Sequence, residues 1–411
     1  MAIASNTTQP REDGVSARVW WLCGLLFLAT VLNYLDRQVL ALTAEKIMAE
    51  FHLSKESFGE LIAAFRYAYG IFQIAGGWLV DARGSRSIYP LAVGLWSLAG
   101  VLTAFAASAR MLMGFRFALG IGEAFNWPSA LQVTKRLIPA QDRPLANGIF
   151  NSGAAAGAML APLIVTTLSL RFGWRAAFVV TGALGALWIA AWLIFTRGWK
   201  TQLGGSGASL SAAGKVMWRI VTRRSFWLLL VSAIIVNGVN YFLADWIPLY
   251  LKTERGFSFA VGNALSIIVY GSLEVGNILV GLFVRRMVAA GSSVAAAKRR
   301  ALIASCVLMS SAALAGIVGN RYVAIALLML TALGVAGFLV IYLTLVQDLE
   351  PDHVGAAAGL LGGAGNLVYG FFSPYIGRLA DLQQTTLTFG LIGLLPWLAL
   401  LAILSSLRER Q

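Results

Sequence analysis

Residues 111–133 read "MLMGFRFALGIGEAFNWPSALQV", and most of this stretch is apolar enough to lie in lipid. About 20 residues of α-helix, at 1.5 Å per residue, cross the hydrocarbon core of a bilayer. The stretch also carries Arg116 and Glu123, seven residues apart and followed by an Asn-Trp-Pro sequence. We therefore predict a transmembrane helix with two charges on one face, about 10 Å apart along its axis.

The whole chain has the composition of a multi-pass membrane protein. Of its 411 residues, 58% are hydrophobic and 12% are charged, and its mean hydropathy is +0.75. Soluble domains carry about twice that share of charged residues. Apolar runs of roughly 20 residues predict an all-α integral membrane protein with twelve transmembrane helices. The predicted spans are 18–42, 56–80, 86–108, 110–135, 144–171, 174–197, 225–252, 262–290, 299–318, 321–348, 354–381 and 386–407.

The spans fall into two groups of six, related by weak internal similarity. The stretch "IPAQDRPLANGIFNSGAAAGAMLAP" resembles "LEPDHVGAAAGLLGGAGNLVYGFFSP", and a Gly/Ser/Ala-rich segment, typical of a flexible linker, separates the two groups. Two six-helix pseudo-repeats are typical of transporters that bind substrate between their halves. The predicted parts are a cytoplasmic tail (1–17), an N-terminal bundle (18–197), a cytoplasmic linker (198–224), a C-terminal bundle (225–407) and a short tail (408–411).

The distribution of positive charge indicates the orientation in the membrane. The formal net charge is +14, from 32 basic and 18 acidic residues. About 20 of the basic residues lie in the tails and alternate loops, and about 9 lie on the other side. This asymmetry predicts cytoplasmic termini in a bacterial inner membrane, with the lipid bilayer and no nucleic acid as partner. The two cysteines, Cys23 and Cys306, lie far apart in apolar runs and suggest neither a disulfide nor a metal site.

Seven ionisable residues lie within the predicted spans. Each costs roughly 2.5–3.5 kcal/mol at the centre of a bilayer, so they are expected to pair or to face a water-filled cavity. A buried ion network that holds helices together is one reading. Substrate binding with proton coupling is the other, because arginines hold a carboxylate and buried carboxylates carry protons. The seven are Asp36, Arg37, Arg66, Arg116, Glu123, Asp245 and Glu274.

Aromatic and polar residues accompany these charges and suit a hydroxylated substrate, because they offer hydrogen bonds and a stacking face. Taken singly, each also fits a contact between helices. The set is Tyr34, Tyr67, Tyr69, Gln73, Asn126, Trp127, Tyr270, Tyr342, Asn366 and Tyr369.

The loop between the second and third spans, "GGWLVDARGSRS", resembles the gating motif of the major facilitator superfamily. Gly77, Asp81, Gly84 and Arg86 occupy the motif's positions, and Ala82 stands where the family usually has arginine. The resemblance covers essentially the whole chain. It implies a secondary transporter that works by alternating access.

Four segments resemble the anion:cation symporter branch of that superfamily, and hexuronate transporters in particular. They are "NYLDRQVL", "RFALGIGEAFNWPSA", "GIFNSGAAAGAMLAP" and "FGWRAAFVVTGALGALWIAAWLIF". The resemblance implies proton coupling by two acids, a substrate carboxylate beside two arginines, and a second helix that faces the site. The corresponding residues are Asp36 and Glu123, Arg37 and Arg116, and Tyr69 and Gln73.

The chain departs from this branch at two charged positions. Arg66 replaces a glutamine or a small residue, and Asp245 replaces an uncharged one. Helix ten, "GVAGFLVIYLTLVQD", lacks the His and Asn expected in hexuronate relatives. Arg66 either joins Arg116 as a second substrate clamp or pairs with an acid.

These observations predict a proton-coupled symporter that imports a sugar acid such as glucuronate or galacturonate. We expect a monomer that uses the proton gradient and no cofactor. Uptake of a different organic anion, an aldonate or a small carboxylate, is the alternative, and a non-transporting membrane sensor is a third hypothesis. No nucleophile–base pair or metal-spaced cluster in the sequence favours an enzyme.

Overall fold

The computed structural model describes residues 17–139, 142–205, 207, 210–347, 349 and 354–408. These residues form fifteen α-helices and no β-strand. The first seven helices are α1 Ala17–Phe51, α2 Lys55–Arg83, α3 Ser85–Thr103, α4 Ala109–Glu123, α5 Asn126–Leu137, α6 Arg143–Arg171 and α7 Trp174–Phe195. The others are α8 Leu210–Val221, α9 Arg224–Thr253, α10 Phe259–Ala289, α11 Val294–Met309, α12 Ser311–Ala315, α13 Arg321–Gln347, α14 Val354–Asp381 and α15 Thr385–Arg408.

The helices match the twelve predicted spans, and the prediction of an all-α multi-pass membrane protein is confirmed. α4 and α5 together form one span, as do α11 and α12, whereas α8 lies in the linker. Seven helices (α1, α6, α7, α9, α10, α13 and α15) contain described stretches long and apolar enough to cross a membrane. The other helices are too short, carry more charge or glycine, or belong to a broken span. With an even number of spans, the start of α1 and the end of α15 lie on the same side of the membrane, which we call the side of the termini.

Two local features differ from the sequence prediction. α1 continues to Phe51, beyond the predicted end at residue 42, because its polar last turns are held by α7. Glu50 accepts hydrogen bonds of 2.7 Å from Trp174 Nε1 and Arg175 Nη1. The linker is not flexible throughout, since its second half forms the amphipathic helix α8.

The fourth span is broken immediately after Glu123. Pro128, three positions into the second piece, lacks a backbone N–H, and its ring crowds the carbonyl of Ala124. The helix therefore tightens into a turn in which Phe125 N–H bonds to Gly122 O at 3.3 Å, and it restarts at Asn126. This break leaves the Glu123 carboxylate on the last residue of α4, inside the protein and fully buried.

The two halves contact each other closely along α2 and α14. A Cβ atom on Gly70 would lie 2.7 Å from the carbonyl oxygen of Gly363, a distance that no larger residue tolerates without a shift. Small residues let helices in lipid approach in this way. The contact brings Arg66, one turn before Gly70, beside the second half of the chain.

Further contacts join the halves on the side of the membrane away from the termini, which we call the far side. The Asp381 carboxylate, at the end of α14, accepts hydrogen bonds from the backbone N–H groups of Lys55 and Glu56 at 3.0 and 2.9 Å. These N–H groups belong to the first turn of α2, where an anion is favoured by the helix dipole. The Lys55 side chain also forms an ion pair with Glu254 at the end of α9.

A buried lysine adds to the far-side closure. Lys252 of α9 donates from Nζ to the backbone carbonyl of Leu42 in α1 at 2.9 Å, and to Asn263 Oδ1 at 3.2 Å. Asn263 of α10 donates in turn to Thr166 Oγ1 of α6 at 3.0 Å. The two halves are therefore closed against each other on the far side.

Candidate functional site

Three arginines from three helices lie around one phenylalanine ring. The guanidinium carbons of Arg37, Arg66 and Arg116 lie 5.3, 5.5 and 4.7 Å from the centroid of the Phe65 ring. A cation over an aromatic face is attracted by the ring quadrupole. The helices α1, α2 and α4 thus bring the three predicted cations into one small region, with a buried apolar ring between them.

Arg37 is the partner of Glu123. Its Nε and Nη2 atoms donate to Glu123 Oε2 at 3.1 and 2.9 Å, and Nη2 also donates to Asn33 Oδ1 at 3.3 Å. The Glu123 side chain is completely buried, whereas 11% of the Arg37 side chain is exposed. The second carboxylate oxygen, Oε1, is buried without a hydrogen bond among the described residues. Two rings flank the guanidinium, Tyr34 at 5.0 Å and Tyr69 at 4.8 Å.

Arg66 pairs with an acid of the other half. Its Nη2 atom donates to Asp245 Oδ2 of α9 at 2.7 Å, and Nη1 donates to Asn366 Oδ1 of α14 at 3.2 Å. The Arg66 side chain is 1% exposed and that of Asp245 is 12% exposed. The Tyr241 ring stacks on the guanidinium at 3.9 Å. Arg66 is therefore neutralised by the protein itself.

Arg116 has no comparable partner among the described residues. Its side chain is buried, and neither Nε nor Nη1 makes a hydrogen bond. Among the described residues, its guanidinium makes a cation–π contact with the face of Phe65. A buried charge without a hydrogen-bonded counterion costs several kcal/mol. A guanidinium in this state is suited to take up a carboxylate from a ligand.

Asp36 is a buried acid that, like Arg116, has no ion-pair partner among the described residues. Both of its carboxylate oxygens are buried without a hydrogen bond that meets normal geometry in the described part of the chain. The hydroxyl of Thr181, on α7, lies beside it. Asp36 and Arg116 are thus opposite charges in the same region, each lacking the contacts that stabilise a buried ion.

The amide residues near Arg66 connect α2 with the second half. Asn366 Nδ2 donates to Tyr241 OH at 3.0 Å and to Gln73 Oε1 at 3.4 Å. Tyr270, on α10, donates to Gln38 Oε1 of α1 at 3.1 Å. Gln73, Asn366 and Tyr270 therefore lie where the halves meet, as expected for residues of a site between them.

Four other predicted site residues contact the protein in different ways. Asn126 is buried, accepts a 2.6 Å hydrogen bond from Tyr89 OH and donates to Thr30 Oγ1 at 3.4 Å. The ring of Trp127 packs edge-on against Phe150. Both sets of contacts join helices of the first half, and a role of these residues in substrate binding stays a prediction. Tyr342 is buried, and Glu274 is partly exposed and accepts a 3.3 Å hydrogen bond from Asn277.

The family model of the Major Facilitator Superfamily matches residues 26–367, which is most of the chain. The chain belongs to the Major Facilitator Superfamily. The fold agrees with this assignment. A solved bacterial homologue of the human lysosomal transporter Spinster, in an inward-facing and unoccupied conformation, superimposes with a TM-score of 0.77. The two are 20% identical, and the match covers 97% of this chain and 99% of that one.

Two superfamily relatives from Escherichia coli (strain K12) match over most of their length. The hexuronate transporter is 29% identical over 410 residues, which cover 95% of this chain and 94% of the relative. The probable galactarate/D-glucarate transporter GarP is 27% identical over 392 residues, which cover 88% of this chain and 87% of the relative.

The segment that resembles the superfamily's gating motif forms a compact turn between α2 and α3. Gly84 ends α2 with a positive φ of 87°, and a Cβ atom there would collide with the linker backbone. Arg86 N–H bonds to the carbonyl of Leu203, so that the linker packs on this turn. Asp81 accepts a hydrogen bond from Gln132 Nε2 at 2.9 Å. Gly77, the first residue of the motif, is exposed and has no neighbour within 4 Å of an added Cβ.

Sequence reasoning missed three residues of these sites. Phe65 directly precedes Arg66, so its place among the arginines required knowledge of which faces meet. Tyr241 lies four residues before Asp245, on the same helix face, and this spacing was an available signal. Gln132, in α5, accepts a hydrogen bond from Ser85 N–H and donates one to Asp81, so it links the two sides of the turn between α2 and α3, and nothing in the sequence marks it.

No group of three or more His, Cys, Asp or Glu side chains within the described residues is arranged to hold a metal ion.

Proposed function

We propose that this chain is a secondary active transporter that imports a sugar acid, a hexuronate such as glucuronate or galacturonate, together with protons. The observation that carries the proposal is Arg116, a buried cation with unused donors beside two other arginines. The relative that transports hexuronates supports this substrate class. The site belongs to a bacterial inner-membrane protein with cytoplasmic termini, which acts as a monomer and needs no cofactor.

In this proposal Arg116 binds the substrate carboxylate through two N–H···O bonds, a geometry for which the guanidinium fork is preorganised. Arg37 lies beside it, partly exposed and flanked by Tyr34 and Tyr69. Their phenol groups, with Gln73 on α2, bind the sugar hydroxyls. The amide and phenol groups around Asn366 complete the site from the second half when the halves close on the sugar.

Asp36 and Glu123 carry the proton. Glu123 is buried and holds Arg37 through one oxygen, whereas Oε1 is free to receive a proton. Asp36 lies in the same region, buried beside the Thr181 hydroxyl and without an ion-pair partner among the described residues. Protonation of either acid makes the region around the arginines more positive, which favours binding of the substrate anion, so proton binding and substrate binding are coupled.

Transport by alternating access requires that the far-side contacts break. The Lys55–Glu254 pair, the Asp381 contacts and the Lys252 hydrogen bonds all join one half to the other. The structure is closed on that side. In the state that is open on the far side, the turn at Gly84 and the linker packed on it move with α2 and close the two halves on the side of the termini.

A matched relative that is a D-galactonate transporter favours one alternative, a symporter of a different organic anion, an aldonate or a small carboxylate. The same arginine region serves both candidates. They differ in the part of the substrate away from the shared carboxylate, which is a sugar ring in a hexuronate and an open polyol chain in an aldonate.

Reconstitution tests the proposal. Proteoliposomes with an inward proton gradient are expected to accumulate labelled glucuronate above its external concentration. Arg116→Ala abolishes this uptake, whereas Arg110→Ala, which removes an exposed arginine at the start of the same helix, leaves it intact. The proposal is wrong if no sugar acid is accumulated under the gradient, or if both variants transport equally well.

A further inference from the structure

The charges of the candidate site form two complete ion pairs and one incomplete one. Arg37 pairs with Glu123 at 2.9 Å, and Arg66 pairs with Asp245 at 2.7 Å. Arg116 and Asp36 remain without hydrogen-bonded partners among the described residues. When Asp36 carries a proton and Glu123 stays ionised and paired with Arg37, one positive charge is left over, on Arg116. The region can then neutralise one carboxylate and no more.

We propose that the Arg66–Asp245 pair restricts this site to sugar acids with a single carboxylate and excludes sugar diacids. The inference rests on the proposed function, because it concerns the ligand of the same site. The Asp245 carboxylate already forms an ion pair with Arg66, so Arg66 is not available to a ligand carboxylate. A second carboxylate on the ligand therefore finds no free cation.

A further acid, Glu274, also disfavours a second carboxylate on the ligand. Glu274, on α10, is partly exposed and lies close enough to Tyr34 to interact with it electrostatically. A second ligand carboxylate would thus be repelled by Asp245 at Arg66 and by Glu274 near Tyr34. Placing an unpaired charge in a low-dielectric region is strongly unfavourable, whereas a hydroxyl or aldehyde at the same position needs only hydrogen bonds.

Arg66 is preorganised to bind a ligand carboxylate once Asp245 is neutral. Asn366 Oδ1 holds its Nη1 atom, and the Tyr241 ring stacks on its plane at 3.9 Å. Its Nε atom is buried without a hydrogen bond. Arg66 and Arg116 both contact the Phe65 ring, so they lie within the span of a six-carbon diacid. Neutralising Asp245 is thus expected to create a second carboxylate position.

The test compares D-glucuronate with D-glucarate, which have the same six carbons but carry at C1 an aldehyde, closed as the ring hemiacetal, and a second carboxylate, respectively. Binding to the purified full-length protein is measured by isothermal titration calorimetry at neutral pH, where glucarate is a dianion. The native protein is expected to prefer glucuronate at least tenfold. Asp245→Asn is expected to raise the relative affinity for glucarate at least tenfold.

Two further variants separate this explanation from general damage. Breaking one partner of a buried pair destabilises a protein, so the double variant Arg66→Gln/Asp245→Asn, with a neutral hydrogen-bonding pair, is measured as well. It is expected not to gain glucarate, since Arg66 is gone. Glu50→Gln neutralises the acid of a half-exposed ion pair with Arg175 and is expected to leave the ratio unchanged.

Each failure has a distinct meaning. Equal affinity of the native protein for both ligands overturns the inference and leaves the proposed function standing. A gain of glucarate by the double variant, or none by folded Asp245→Asn, also overturns it. Absence of binding by every sugar acid overturns the proposed function, and the inference falls with it.

Discussion

Asp381 holds the far side closed through the first turn of α2, and its removal has a calculable effect. Its two carboxylate oxygens accept hydrogen bonds of 3.0 and 2.9 Å from the N–H groups of Lys55 and Glu56, across the boundary between the halves. Replacement of a helix N-terminal cap costs about 0.5–2 kcal/mol. Because this contact is exposed to solvent, about 1 kcal/mol is the appropriate value, which changes an equilibrium about fivefold.

The Asp381→Asn variant removes the charge and one of the two acceptors. We therefore expect the population of molecules with a separated far side to rise about fivefold relative to the native chain. Spin labels on Ala107 and Gln384, which are exposed on the far side of the two halves, report this separation by double electron–electron resonance. Cys23 and Cys306, both buried, are first replaced by alanine.

Glu60→Gln is the matched control, because Glu60 is an exposed acid on the same helix. It is expected to leave the distance distribution unchanged. An unchanged distribution in Asp381→Asn as well would refute the view that this contact holds the far side closed.

Two other substitutions test residues of the first half. Glu123→Gln keeps the shape of the side chain and removes the carboxyl group that can gain and lose a proton. Proton-driven accumulation of glucuronate is therefore expected to fall at least tenfold, while exchange of external for internal substrate persists. Proton-driven accumulation at the native rate contradicts the role of Glu123. Asn126→Leu breaks the buried 2.6 Å hydrogen bond from Tyr89, and loss of a buried partner costs about 1–3 kcal/mol. We expect a lower melting temperature, measured by intrinsic fluorescence, and an unchanged affinity for glucuronate. A loss of affinity at the native melting temperature would instead place Asn126 in the substrate site.

The overall fold could be predicted from the sequence because the bilayer imposes a single length on every apolar run. The predicted span 354–381 agrees with α14, and most other bounds agree within a few residues. The end of α1 was missed, since hydropathy reports where lipid ends and not where a helix ends. The helix in the linker was missed because its first residues continue a Gly/Ser/Ala-rich segment.

The candidate site could be predicted as a set of residue types but not as a set of pairs. Helical periodicity places Arg116 and Glu123 on one face, and burial cost requires that each has a partner. Which partner depends on how α1 faces α4, and Arg37 is 86 positions away from Glu123. The Arg66–Asp245 pair is separated by 179 positions and crosses the two halves. Such contacts are determined by tertiary packing, which no local pattern encodes.

Binding of glucuronate by Arg116 is the central claim, and calorimetry with three proteins tests it most directly. Two charge-assisted hydrogen bonds at about 1.5 kcal/mol each amount to about a hundredfold in affinity. The native protein and Arg110→Ala are therefore predicted to bind glucuronate equally, Arg116→Ala about a hundredfold more weakly, and uncharged glucose not to bind any of them. Native affinity in Arg116→Ala, or binding of glucose as tight as that of glucuronate, would contradict the account.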